Sequence, residues 1–206
     1  MEFKTVKEQK NGIIVEKKSK FIANIIPVTT KQEAENKIKE IKKQYSDAKH
    51  NCYAYCILEN ESKITKSSDD GEPSGTAGIP ILKVITENDL CNVLIIVTRY
   101  FGGVLLGTGG LVRAYTSASL EAINNSQVLQ MQLGYEIKIE ITYDDLNFVK
   151  YTIEAQKGKI IDVKYGENIE IIAQIKEENK NDFMDENGNL RKKNKENYRF
   201  TKKIYK

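Results

Sequence analysis

The sequence predicts an α+β protein of two domains, and three observations carry that expectation. The chain has 206 residues, which at roughly 150 residues per domain is one or two domains. Apolar periodicity switches along it between alternation and helical spacings of three and four. The pattern then stops at Asn124-Asn125-Ser126 and begins again, which places a boundary near 127–133. The expected domains are 1–128 and 133–206. With 40% hydrophobic residues, 30% charged and only 3 Pro, disordered and low-complexity classes are excluded.

Within the first part, residues 12–28 form two extended runs broken by Lys17-Lys18-Ser19-Lys20. Thr30 and Glu33 make a capping box, and Ala34, Ile38, Ile41 and Tyr45 share one face of the helix that follows. Asn51–Leu58 reads as a buried strand, with Lys63–Lys66 a shorter partner across Glu59-Asn60-Glu61. An irregular stretch from Ser67 to Thr76 follows; loops of this length inside compact domains are often functional. Ala77–Thr86 suits a short helix with Pro80 in its first turn. Val93–Thr98 is β-branched, as central strands are. The Gly-rich stretch 102–110 opens a helix that carries Leu111, Tyr115, Ala118 and Ala122 on one face.

In the second part Gly134–Thr142 alternates, with Tyr135, Ile137, Ile139 and Ile141 on one side. Asp144 is the expected cap of a helix that uses Leu146, Val149 and Ile153, and Gly158 its C′ residue. Lys159–Tyr165 and Asn168–Ile175 form a hairpin around Gly166-Glu167. A short helix near 180–187 and an edge strand with Tyr198, Phe200, Lys202 and Ile204 complete a ferredoxin-like βαββαβ order.

Lys and Arg total 32 against 29 Asp and Glu, a net charge of +3. The longest near-apolar run is far short of the ~20 residues that span a bilayer, and the charged N-terminus lacks an apolar signal core. The expectation is a cytoplasmic protein with no membrane association. Cys52 and Cys56 lie about 13 Å apart along one strand face, beyond the ~7 Å that a disulfide tolerates.

Three constellations are candidates for chemistry. Asp69, Asp70 and Glu72 are carboxylates suited to a hard cation, but they lack an EF-hand spacing and fit a capped turn. Arg99, Gly102, Gly103, Gly107, Thr108, Gly109, Gly110 and Arg113 combine a Gly-rich helix start with two guanidinium groups, which suits an anion. Close packing of strand and helix also needs glycine. His50 and Cys52 share a strand face and could form a dyad, although a buried Cys is usually a small hydrophobe. No catalytic residue, metal ligand set or cofactor motif is assigned.

The runs Asp47-Ala48-Lys49-His50-Asn51-Cys52-Tyr53-Ala54-Tyr55, Asp69–Gly78, Arg99-Tyr100-Phe101-Gly102-Gly103 and Leu106–Tyr115 resemble the IMPACT/YigZ family. That resemblance implies an N-terminal domain with the ribosomal protein S5 domain 2-like fold. It also implies a ferredoxin-like C-terminal domain, the pair being similar to the last two domains of elongation factor G. Eukaryotic relatives regulate translation by interfering with activation of a starvation-responsive initiation-factor kinase. Two functions follow as expectations. One is a non-catalytic, translation-associated module that binds RNA, ribosome or a translation factor. The other is an enzyme acting on a phosphorylated small molecule or nucleotide at the Gly/Arg-rich site.

The C-terminal 27 residues hold nine basic and four acidic side chains, a local net charge of +5. Lys192, Lys193, Lys195, Tyr198, Arg199 and Phe200 are candidate RNA contacts, cations neutralising phosphates and rings stacking on bases. Lysines on an edge strand also protect it from aggregation. Replacing Lys192, Lys193 and Lys195 with Gln is expected to make the salt dependence of RNA binding shallower by roughly 2 logarithmic units. An unchanged slope and affinity would leave these lysines the protective role alone.

Overall fold

The computed structural model describes residues 2–59, 62–176, 179 and 198–205. The chain divides into two compact units, Phe3–Gln130 and Met131–Lys206 with Met1–Glu2. The fold is α+β throughout: among the described residues the larger unit holds three helices and the smaller unit one, each with a sheet.

The larger unit holds strands β1 (Glu2–Val6), β2 (Lys10–Glu16), β3 (Ser19–Pro27), β4 (His50–Glu59), β5 (Ser62–Ser68) and β6 (Val93–Tyr100). Its helices are α1 (Lys31–Gln44), α2 (Gly78–Glu87) and α3 (Gly107–Asn124). Five strands form one sheet in the order β2-β3-β6-β4-β5. β6 lies at its centre, where a β-branched run buried on both faces belongs.

Alternation along the strands assigns the two faces. Tyr53, Tyr55 and Ile57 of β4, with Leu94 and Ile96 of β6, pack under Ala34, Ile38 and Ile41 of α1. Positions between them, including His50, Cys52, Val97 and Arg99, face the side that carries α2 and α3. The α1 start is a variant capping box. Thr30 Oγ1 accepts from Glu33 N at 3.1 Å, but the Glu33 carboxylate returns to Thr29 N at 2.7 Å.

The sequence reading misses β1, whose Phe3 and Val6 are both buried; three apolar residues among lysines are too short a run for periodicity. Ser67 and Ser68 belong to β5, so the irregular stretch is shorter than expected. The break between β2 and β3 is a two-residue turn at Lys17 and Lys18, both with positive φ. This is the type I′ geometry that suits a twisted hairpin.

The smaller unit contains most of β7 (Val128–Ile141), then α4 (Leu146–Ala155), β8 (Lys159–Tyr165), β9 (Ile169–Lys176) and β10 (Tyr198–Tyr205). β7 begins in the larger unit at Val128 and continues as strand into the smaller one. β10, β7, β9 and β8 lie side by side, every neighbour antiparallel, the strand order of a split βαβ fold. Ile137, Ile139, Ile141, Val149, Ile153, Ile169, Ile171, Ala173 and Ile175 make its core. The helix cap is Asp145 rather than Asp144, its carboxylate accepting from the Thr142 hydroxyl. Lys157, not Gly158, takes the left-handed position after α4. Gly158 N donates to Ile153 O and Lys157 N to Glu154 O, a Schellman ending. The helix expected near 180–187, with Lys192, Lys193 and Lys195, lies outside the described residues.

Register pairs the aromatic and basic positions of β10 with β7. Tyr198 and Phe200 stand opposite Ile139 and Ile137 in register, and Arg199 stands opposite Lys138.

Gly102 shows how tightly the β2–β3 turn is seated. A Cβ there would lie 2.0 Å from Lys18 C and 2.3 Å from Ser19 N, while Gly102 N donates to Ser19 Oγ at 3.1 Å. Gly102→Ala is therefore expected to lower stability by about 1–3 kcal/mol, read as a lower urea midpoint at unchanged m-value. An unchanged midpoint would mean that the hairpin yields without cost.

Candidate functional site

The site begins with a register pair. His50 of β4 lies directly opposite Arg99 of β6, both on the face that carries α2 and α3. Beyond these strand ends the chain makes two loops, 69–77 and 101–106. Between them lies a cleft of about 330 Å³ lined by Lys49, His50, Gly71, Glu72, Pro73, Arg99, Phe101 and Leu105.

The acidic residues of the first loop have separate tasks. Asp69 Oδ1 accepts from Ala77 N and Gly78 N, and Oδ2 from Gly75 N, at 2.8–3.0 Å. It thereby satisfies amides at the start of α2 that no cap side chain reaches. Burial works to raise its pKa, but the amides of Gly75, Gly78 and Ala77 outweigh that and hold the carboxyl below its ordinary value. Asp70 accepts from Asn51 N at 2.8 Å and pairs with Lys42 at 2.5 Å. Its carbonyl oxygen lies 2.9 Å from His50 Nδ1.

Glu72 is buried, and its Oε1 accepts from Arg99 Nη1 at 2.7 Å and from the Tyr115 hydroxyl at 2.9 Å. The three carboxylates are thus engaged with amides and cations, and among the described residues no cluster has a metal-binding arrangement.

Arg99 is the floor of the cleft. Its side chain is 8% exposed, and its guanidinium lies 5.5 Å from the Phe21 ring centroid and 5.6 Å from that of Phe101. Its Nε is buried with no hydrogen-bond partner. Phe101 itself is 57% exposed and Leu105 84%, so the outer wall is apolar and open to solvent.

His50 and Cys52 share a face as their spacing requires, yet they form no dyad. The Cys52 thiol lies 2.9 Å from Asp69 O and 3.3 Å from the Tyr115 hydroxyl. Burial pushes it up to about 12, so it stays a thiol at neutral pH. Burial, then Cys52 and Glu72, raise the Tyr115 phenol as well. Cys56 contacts neither, because its Sγ lies 3.3 Å from Cys91 Sγ in the core.

The glycine and arginine residues do not all meet. Gly102 serves the hairpin contact described above, and Gly103 and Gly107 adopt positive φ at the loop. Gly107, Thr108, Gly109 and Gly110 form the first turn of α3, with Gly110 packed on Leu106. Arg113 is exposed, its guanidinium beside Gly109, and it does not line the cleft. Lys49, Phe101, Pro73 and Leu105 were not singled out from the sequence. Only the strand pairing of His50 with Arg99 brings them together.

Comparison with known proteins places these residues in a family. The Impact N-terminal domain matches residues 17–123 and a domain of unknown function, DUF1949, matches 139–186. "IMPACT family member YvyE" of Bacillus subtilis (strain 168) is 40% identical over 181 residues, 88% of this chain and 83% of that protein. The chain belongs to the IMPACT family. A Haemophilus influenzae IMPACT family member is 32% identical over 184 residues, 86% of this chain and 88% of its own. A crystal structure described as a hypothetical protein superposes with a TM-score of 0.62 at 27% identity, covering 84% of this chain and 85% of that one. Every residue that lines the cleft lies inside the matched Impact N-terminal domain.

The Asp69 geometry carries a pH signature. A carboxyl whose native pKa is depressed contributes stability above its unfolded pKa, and loses it as pH falls through the native one. Asp69→Asn is expected to cost roughly 1–2 kcal/mol at neutral pH, the scale of a lost helix cap. The difference from the parent should shrink as pH drops below about 4, the ordinary carboxylate range. Urea titrations at pH 7 and pH 3 check this; a gap that does not change with pH would remove the charge from the account.

Proposed function

We infer that this IMPACT family member is a non-catalytic, translation-associated protein that binds RNA through the cleft at the paired ends of β4 and β6. One observation carries the reading: a guanidinium seated between two aromatic rings, the outer one more than half exposed, beside Lys49 and His50. Single-stranded nucleic acid is bound by this combination of cation and stacking surface. The translational setting is what the family resemblance implies.

The chemistry of the neighbours supports binding over catalysis. The nucleophile candidate, Cys52, is protonated and enclosed, and Glu72 is committed to Arg99 and Tyr115. The basic C-terminal segment adds long-range attraction for a polyanion. Stacking falls to Phe101, whose ring is more than half exposed at the cleft.

Ribosome co-sedimentation tests the reading. The chain is expected to pellet with ribosomes at low salt and to be released as salt rises. Lys49→Gln should make the salt dependence shallower by roughly 0.7, one phosphate contact to a single strand. A chain that stays in the supernatant at the lowest salt would sink it.

A further inference from the structure

We propose that the cleft is a pocket for one nucleotide carrying a terminal phosphate monoester, rather than a stretch of groove along a continuous strand. The proposal rests on the RNA-binding reading of the same cleft and narrows it to a ligand class. The shared chemistry is a nucleoside with a monoester phosphate, which either a free mononucleotide or the phosphorylated end of a strand supplies.

Size is the first argument. About 330 Å³ sits at the small end of ligand sites, room for a single nucleotide and not for a run of them. The second is the unused donor. Buried N–H groups are nearly always satisfied, yet Arg99 Nε has no acceptor while Nη1 is held on Glu72. An anionic oxygen is the acceptor that a guanidinium edge fits best.

The third argument separates a monoester from a diester. A backbone carbonyl only accepts, so His50 Nδ1 donates to Asp70 O at 2.9 Å and Nε2 is left for another partner. A monoester carries close to two negative charges and three terminal oxygens, enough to meet His50 Nε2, Lys49 and the Arg99 edge together. An internal diester offers a single charge and fewer free oxygens. Charge agrees: Lys49 and Arg99 outweigh Glu72 by one positive charge, and Asp70 is paired with Lys42. Phe101, lying on the guanidinium and 57% exposed, gives the base a ring to stack on.

The test is a calorimetric titration of the full chain with three probes: adenosine 5′-monophosphate, a short single-stranded RNA with a 5′-phosphate, and the same RNA with a 5′-hydroxyl. The phosphorylated RNA should bind roughly tenfold or more tighter than the hydroxyl form, the scale of one lost charged hydrogen bond. The mononucleotide should compete with it. Lys49→Gln and His50→Gln should each weaken the mononucleotide and the phosphorylated end, whereas Arg113→Gln, outside the cleft, should leave both unchanged.

Arg99→Lys keeps the charge on Glu72 but removes the Nε donor. It should abolish the preference for the phosphorylated end; its melting temperature reports whether the fold is kept, and the two cleft-rim variants decide the matter if it is not. Binding of the mononucleotide without either RNA would uphold the pocket and identify a free small molecule as its ligand, while the RNA reading falls. RNA binding that ignores the 5′-phosphate and resists competition would overturn the pocket and leave the RNA reading standing. No binding of the mononucleotide and no preference for the phosphorylated end would overturn the proposal outright.

Discussion

The ion pair between Arg99 and Glu72 fixes the geometry of everything around the cleft. Both groups are withdrawn from water, with side chains 8% and 3% exposed. Such a pair contributes little net stability, because desolvation offsets the attraction, but removing one partner strands the other at about 3–5 kcal/mol. The loop that carries Glu72 therefore cannot leave β6 without a large penalty. Tyr115 brings α3 to the same carboxylate and Cys52 brings β4 to Tyr115. One buried carboxylate thus coordinates two strands, a helix and a loop.

Around that pair the glycines divide by what their missing Cβ permits. Gly102 lets the β2–β3 turn close on β6, and Gly78 lets α2 start against β5, where a Cβ would lie 2.7 Å from Ser68 N. Gly12 does the same between β2 and α3, with Ala122 N 2.4 Å from the position a Cβ would take. Close approach of backbones accounts for these three without any ligand. The cleft is formed instead where the strand pair His50 and Arg99 meets the loops 69–77 and 101–106.

Much of the fold was legible because burial leaves a local trace. The α1 face shows in Ala34, Ile38 and Ile41, the α3 face in Leu111, Tyr115, Ala118 and Ala122, and the alternation of β7 in Ile137, Ile139 and Ile141. The site was legible only in part, because pairing is not local. Nothing near Arg99 in sequence announces that its partner is Glu72, 27 positions earlier, or that His50 faces it across two strands. The Gly-rich run points toward Arg113, whereas the exposed ring that lines the cleft is Phe101, immediately after the strand. The cap at Asp145 and the turn at Lys157 differ from expectation by a single residue each, the scale on which helix ends depend on hydrogen bonds rather than composition.

The wall of the cleft formed by residues 69–77 is pinned along its length. Asp69 gathers the amides of Gly75, Ala77 and Gly78, Glu72 N bonds back to Asp69 O, and Thr76 N and Oγ1 both reach Pro73 O. A segment held this way has no hinge about which to swing. It acts as a fixed jamb and not as a lid, so this wall adds no gating step. On this side of the cleft, release of a bound molecule would depend on how fast contacts break and not on how often a flap opens.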